Sequence, residues 1–595
     1  MDYSAFYAGR LFDAYRFLGA HVTESGTVFR TFAPAAEAVS VIGEFNGWQK
    51  TPMERIYDGN FWECEIPGAS AGMMYKYRIL RKGRGSLDHC DPYGFFAELR
   101  PNTASVIQRL DGYEFGDAEW MEARTDCKDR PLNIYELHFG SWRKPEDRPD
   151  VWYSYSELAG LLIPYLKENG YNYLEIMPLG EYPSDESWGY QSTGFFSPTS
   201  RYGKPDGLRE FVGRCHRNGI GVLIDFVPVH FAVDDYALAD YDGTALYEYP
   251  NTDVGRSEWG SCNFMHSRGE VRSFLQSAAN YWLTEFHFDG LRMDAVSNLI
   301  YWQGDEGRGE NRDAIRFLRE MNRGLKLLHP GAILAAEDST AYRGVTAPAE
   351  EGGLGFDYKW DLGWMHDTLS FFQLDPAARS EAYHKLTFSM QYFYDEAFLL
   401  PLSHDESVHG KAAVLQKMNG QYEEKFPQAR ALYLYMVAHP GKKLNFMGNE
   451  LGHLREWDEK RELDWNLTAY PIHDAFCRFL RDLNRLYLSH PALSEMDYDR
   501  RGFLWLDCAQ EQRCLYAFER RSKDERILAV FNFSDREQEH YLLRIPDAER
   551  LTPLIASDWQ CYGGTQACEE EALTLKQGEV SLTLSAFSGR YYRIQ

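Results

Sequence analysis

Phe288-Asp289-Gly290-Leu291-Arg292-Met293-Asp294-Ala295 is the stretch on which the reading of this chain turns. It is short, apolar and strand-like, and it ends in a carboxylate. Three other runs share that build: Gly221-Val222-Leu223-Ile224-Asp225-Phe226-Val227-Pro228-Val229-His230, Ile333-Leu334-Ala335-Ala336-Glu337-Asp338, and Phe398-Leu399-Leu400-Pro401-Leu402-Ser403-His404-Asp405-Glu406. The gaps between them hold one or more βα units each. Further strand candidates are Asn133-Ile134-Tyr135-Glu136-Leu137-His138-Phe139, Tyr173 to Met177, Gly355 to Tyr358 and Lys443 to Met447, which makes eight in all. Eight strands alternating with helical stretches predict a (β/α)8 TIM barrel, a fold that presents every strand C-terminus at one face.

The barrel pattern occupies residues 113–492, with a polar, aromatic and aperiodic insertion at about 231–267 that is too long to be a plain connection. Residues 1–20 carry Phe6, Leu11, Phe12, Tyr15, Phe17 and Leu18 at helical spacing and predict a short docking helix. Residues 21–112 change to short strands broken by Gly and Pro, as in Val39-Ser40-Val41-Ile42-Gly43 and Met74-Tyr75-Lys76-Tyr77-Arg78-Ile79, the mark of a small β-sandwich. Trp48 is read there as a core ring in preference to a ligand contact. Strand rhythm returns over residues 493–595, in Gly502 to Leu506, Arg513 to Phe518 and Ile527 to Phe533, and predicts a C-terminal antiparallel β-sandwich.

Asp294, Glu337 and Asp405 are three carboxylates delivered by successive strand ends. Any one of them taken alone reads equally well as a helix cap or a polar loop residue. Together they suit the breaking of a sugar acetal, which needs one acid to protonate the leaving oxygen and one carboxylate to meet the oxocarbenium-like carbon. Crowding anions in a partly dry cleft pushes their proton affinities apart and so divides those roles. Arg292 precedes Asp294 by two residues and shares its face on a strand, so it is placed to orient that acid. His230 and His404 offer a donor and an acceptor each for sugar hydroxyls. No helical His-Glu-x-x-His spacing and no calcium-loop pattern occurs, so neither a metal nor any other cofactor is expected.

Taken together, these residues resemble the alpha-amylase superfamily, glycoside hydrolase family 13, and within it the 1,4-alpha-glucan branching enzymes. The narrower likeness rests on longer stretches: Glu337-Asp338-Ser339-Thr340 with Gly344-Val345-Thr346, Gly353 to Met365, His404-Asp405-Glu406 with Val408-His409-Gly410-Lys411, His439-Pro440-Gly441-Lys442-Lys443, Phe446-Met447-Gly448-Asn449-Glu450, and Phe479 to Tyr487. Residues 21–112 are similar to carbohydrate-binding module family 48. The resemblance implies that Asp294 is the nucleophile of a retaining double displacement, Glu337 the general acid and base, and Asp405 the third acid on the distorted sugar. It implies supporting roles for Asp225, His230, Arg292 and His404, and a stacking platform at Tyr190 in Ser187-Trp188-Gly189-Tyr190-Gln191. It also implies transfer of a chain to a C6 hydroxyl, forming alpha-1,6 branches. Phe226, Ser407 and the stretch Asn263 to Arg268 depart from the family's commoner wording and bear on chain-length preference.

Composition narrows the partners. The 595 residues carry 63 basic and 89 acidic groups for a net charge of −26, which disfavours nucleic acid and anionic membrane. Aromatics make up 15% of the chain, and their faces suit neutral sugar polymers such as glycogen, amylose and amylopectin, although most serve as core filler. Ten cysteines without a CxxC pair, and an N-terminus with no basic region followed by an apolar run, read as a cytoplasmic protein with reduced thiols. Two alternatives stay open at this point. An amylase-like or debranching hydrolase shares every acid motif, and a non-catalytic glucan-binding protein shares the folds.

Overall fold

In the computed structural model, which describes residues 1–125, 127–148, 151–568 and 571–595, eight strands follow one another in sequence order around a closed barrel. They are β1 Asn133–Leu137, β2 Tyr173–Ile176, β3 Gly221–Phe226, β4 Gly290–Met293, β5 Ile333–Ala336, β6 Tyr358–Trp360, β7 Phe398–Leu402 and β8 Lys442–Phe446. Every residue of all eight is buried. That is why their sequences read as continuous apolar runs and not as alternating ones. The chain forms two compact units, Met1–Thr125 with Lys144–Leu161 and Glu175–Asp357, and Asp126–Arg143 with Leu162–Leu174 and Tyr358–Gln595. Among the described residues no helix is long and apolar enough to cross a membrane.

Two strands start later than the sequence suggests. β4 begins at Gly290 because His287 takes a left-handed φ of 59° and the Asp289 carboxylate turns back to accept the Val222 N–H at 2.7 Å. β6 begins at Tyr358, not Gly355. Gly355 has φ of 78°, and the Asp357 carboxylate is committed to Lys326 at 3.0 Å and to the Leu334 N–H at 2.8 Å.

In the first unit the N-terminal stretch forms a six-residue helix, Tyr3–Ala8, which ends at Gly9 with φ of 70°, and then a 3-10 turn at Ala14–Arg16. It docks on the barrel helix Gly269–Glu285 through a row of polar side chains. Ser273 and Ser277 take the Leu11 and Ala14 N–H groups at 3.3 and 3.0 Å, while Arg272 and Asn280 donate to the Ala8 and Phe12 carbonyls at 2.8 Å. The approach is so close that a Cβ at Gly269 would lie 1.7 Å from the Tyr7 carbonyl oxygen. Two antiparallel sheets follow, one built from Gly19–Val22, Gly26–Phe32, Phe61–Pro67 and Glu54–Ile56, the other centred on Ala36–Gly43 and Met74–Arg81. Trp48 is not core: it occupies a left-handed turn with φ of 62° and remains 39% exposed, because that backbone turns its ring out of the sandwich.

In the second unit the C-terminal strands show why period two matters. Leu515, Ala517, Leu528 and Val530 face the sandwich interior with Tyr541, Leu543, Leu582 and Leu584. Their neighbours Tyr516, Phe518, Ala529 and Phe531 face the other way, onto Leu432, Leu434, Tyr435 and Phe479 of the barrel helices Tyr422–Ala438 and Pro471–Ser489. Both faces of the sheet are thus covered, which accounts for its unbroken apolar runs.

Candidate active site

Strand register builds the group of candidate residues in the first unit. β3 and β4 pair with Asp225 opposite Arg292, and β4 and β5 pair with Met293 opposite Ala336. Asp294 and Glu337 therefore follow side by side, each one residue past its strand. The Asp294 N–H donates to the Phe226 carbonyl at 3.0 Å and the Glu337 N–H to the Met293 carbonyl at 3.0 Å, so the ladder continues beneath both acids.

Arg292, with no exposed side-chain surface, is the hub. It donates to Asp225 Oδ1 at 2.5 Å, to Asp294 Oδ1 at 3.0 Å, to Glu337 Oε2 at 2.7 Å and to the Tyr190 hydroxyl at 3.4 Å. Tyr190 in turn donates to Asp225 Oδ2 at 2.6 Å. Burial works against the guanidinium charge, but Asp225, Glu337, Tyr190 and Asp294 together outweigh it and hold the group well above its ordinary range. Asp225 is 1% exposed, whereas Asp294 and Glu337 keep 13% and 20%. Two carboxyl groups thus reach solvent from a buried cationic base. Glu337 Oε2 also accepts the Ala295 N–H at 3.0 Å. To supply that donor Ala295 adopts φ of 47°, a strained backbone for a residue with a Cβ and of the kind concentrated at functional sites.

His230 is buried, and burial pushes its pKa down to about 4, so the ring is neutral near pH 7. Among the described residues its Nδ1 meets no partner, and the ring lies 5.2 Å from that of Trp259, which is 47% exposed.

A separate group of candidate residues lies in the second unit. His404 is buried, and Glu136 holds it twice: Oε2 accepts its backbone N–H at 2.9 Å and Oε1 meets Nδ1 at 2.5 Å. The other ring nitrogen, Nε2, lies 3.4 Å from Asp405 Oδ1, on a side chain that is 41% exposed. Of the residues singled out from sequence, the structure brings Tyr190, Asp225, Arg292, Asp294 and Glu337 into one hydrogen-bonded group and His404 with Asp405 into another. His230 touches Trp259.

Sequence reasoning missed Glu136, Trp259 and Ala295. Glu136 had a usable signal, a carboxylate inside an apolar strand, since a charge placed there must find a partner. Trp259 had a weaker one, an indole within a polar insertion. Nothing in the sequence marks Ala295, whose strain arises from the register of two strands.

Residues 17–94 match the family model for carbohydrate-binding module 48 (isoamylase N-terminal domain), and residues 505–595 match that for the alpha amylase C-terminal all-beta domain. The chain is similar in fold to a pullulanase from Bacillus acidopullulyticus, with a TM-score of 0.75 at 17% identity, covering 99% of this chain and 76% of the other. It is 45% identical over 592 residues to a 1,4-alpha-glucan branching enzyme GlgB from Dechloromonas aromatica (strain RCB), covering 96% of this chain and 95% of the relative. It is also 43% identical over 586 residues to the protein of the same name from Marinobacter nauticus (strain ATCC 700491 / DSM 11845 / VT8), covering 95% and 93%. With that identity over nearly the whole of both chains, this protein belongs to the 1,4-alpha-glucan branching enzyme GlgB family.

Proposed function

We propose that this protein branches alpha-glucans: it cleaves an alpha-1,4 linkage and transfers the released chain to a C6 hydroxyl, making an alpha-1,6 branch point. Asp294 is the nucleophile. Its Oδ1 rests on Arg292, which steers the carboxylate and keeps it ionised for attack on the anomeric carbon. Glu337 is the general acid. Arg292 and the Ala295 N–H occupy its Oε2, so Oε1 is the oxygen that carries the proton to the leaving glucosyl oxygen. Once the covalent glucosyl-enzyme has formed with inversion, the same oxygen takes the proton from the incoming C6 hydroxyl, and a second inversion restores the alpha configuration.

Asp405, with His404 beside it, binds hydroxyls of the distorted sugar as its ring flattens. Tyr190 offers its ring face to that sugar, Asp225 holds Tyr190 and Arg292 in place, and His230 is suited, as a neutral ring, to a hydroxyl contact. Substrates on this reading are glycogen, amylose and amylopectin, with the exposed ring of Trp48 available as a further sugar contact. The acidic balance of the chain favours neither nucleic acid nor membrane, and the site of action is the cytoplasm. We place the functional divisions at 1–20, 21–112, 113–492 and 493–595.

The observation that carries the reading is the Arg292 hub, which joins a nucleophile and an acid from adjacent strands, in a chain of this family. Proton NMR of amylose incubated with the protein, run beside a reducing-end assay, tests it. New alpha-1,6 anomeric signal with little rise in reducing ends is the expected result. A matching rise in reducing ends without that signal makes the enzyme a hydrolase, and neither change makes it a binding protein.

A further inference from the structure

The loop Cys561-Tyr562-Gly563-Gly564-Thr565-Gln566-Ala567-Cys568 carries no residue assigned a role in the chemistry above. It folds back on itself tightly. The Gln560 N–H donates to the Gln566 carbonyl at 2.7 Å, and the Gln566 and Gly564 N–H groups donate to the Asp558 and Trp559 carbonyls at 2.9 Å. Gly564 is required there, since a Cβ would fall 1.9 Å from the Asp558 carbonyl oxygen. The fold-back brings the two cysteines together: the Cys561 N–H donates to Cys568 Sγ at 3.1 Å. Cys561 is also pinned to the helix Pro471–Ser489. Arg478 donates to its carbonyl at 2.8 Å, and the hydroxyl of the adjoining Tyr562 donates to Asp482 at 2.8 Å.

Access differs between the pair. Among the described residues Cys568 is the one exposed cysteine, and Cys561 is half-buried. Burial and the neighbouring Cys568 thiol push the Cys561 thiol up to about 11, and burial pushes the thiols of Cys64 and Cys477 up to about 12. Cys568, as the exposed thiol, is the one an outside oxidant meets first.

We propose that Cys561 and Cys568 form a modification site, an intrachain disulfide that closes when the protein meets a low-molecular-weight disulfide of the glutathione type. The Cys568 thiolate attacks one sulfur of the external disulfide, whose S–S bond breaks and releases one thiol. Cys561, its proton passed to solvent, then attacks Sγ of Cys568 in the mixed disulfide. A new S–S bond forms and the second external thiol leaves. Two protein thiols are oxidised and one external disulfide is reduced to two thiols, with nothing else consumed. Because Cys561 is already in place, the second step is intramolecular and the mixed disulfide does not accumulate. In a reducing compartment the pair rests open, so the bond is reversible and condition-dependent.

The test uses the full chain incubated with oxidised glutathione, followed by intact-mass measurement and peptide mapping. The unmodified sequence should lose two hydrogens in a species joining Cys561 to Cys568, without a stable glutathione adduct. Cys561→Ser should instead accumulate the adduct on Cys568, at least about tenfold above the unmodified chain, and Cys568→Ser should form neither product. A persistent adduct on Cys568 in the unmodified chain, no reaction at either cysteine, or prior reaction elsewhere would overturn the proposal.

Discussion

Arg292 and Asp497 are both fully buried charges, yet their surroundings are arranged in opposite senses. Around Arg292 one cation meets three carboxylates, two of which remain partly exposed. Around Asp497 one carboxylate meets two cations, Lys442 at 3.0 Å and Arg520 at 2.6 Å, and none of the three side chains is exposed. The remaining donors of that second cluster end on carbonyls: Lys442 on Lys128 and Ser494 at 3.0 and 3.2 Å, Arg520 on Ala438 at 2.7 Å. Burial raises the pKa of Asp497, but Lys442, Arg520 and Lys443 outweigh that and hold it below the usual aspartate range. A closed, fully satisfied cluster fixes the chain in place. An open cluster with surplus negative charge leaves oxygens free to act on something that arrives.

The contrast predicts opposite phenotypes. The largest effect should follow Asp294→Ala, which removes the oxygen proposed as nucleophile: turnover should fall by about 10⁴-fold or more, while the Tm stays within a few degrees because Arg292 keeps Asp225 and Glu337. A large loss of Tm in that variant would make Asp294 a structural anion like Asp497 and dissolve the distinction. Next, Asp497→Ala should leave Lys442 and Arg520 buried without their counter-ion and cost about 3–5 kcal/mol in denaturant unfolding, with activity per folded molecule unchanged.

Glu136→Gln probes a case between the two, a buried carboxylate whose task is to aim His404. It should lower kcat/KM by about 10- to 100-fold, the worth of one charge-assisted hydrogen bond of about 1.5–3 kcal/mol, with little change in Tm. The smallest effect concerns pH. His216 is buried between Asp117 at 2.7 Å and Asp289 at 2.9 Å. Burial lowers its proton affinity, and the two carboxylates outweigh burial and raise it above the usual histidine value. A raised folded pKa stabilises fully below the unfolded value of about 6.5 and ceases to do so as pH rises through the folded one. The Tm should therefore drop by about 1–2 °C from pH 6 to pH 9, and His216→Gln should flatten that part of the profile. Asp497 has the opposite sign, its contribution vanishing as pH falls below about 4 toward its depressed folded value.

What could be read in advance follows from how local each feature is. The eight strands were legible because burial on both sides writes itself as an apolar run. The contact from Arg292 to Asp294 follows from the period of one strand. Bringing Asp225 and Glu337 to the same guanidinium needs the register of three neighbouring strands, which a single sequence does not contain. Gly355 and Trp48 were misplaced for a related reason: a left-handed turn moves a residue out of the element that its apolar neighbours suggest. Glu136 was legible in principle, since a lone carboxylate in a buried strand calls for a partner, but its partner lies 268 residues away.

Asp294 is proposed as the oxygen nucleophile on which the glucan chain is carried before transfer. Mass mapping of the protein after exposure to a maltosyl fluoride whose reacting ring bears a second fluorine, slowing release, tests it most directly. The expected product is a fluoromaltosyl adduct on Asp294 that is lost when amylose is added as acceptor. An adduct on Asp225, Glu337 or Asp405, or turnover without any adduct, would contradict it.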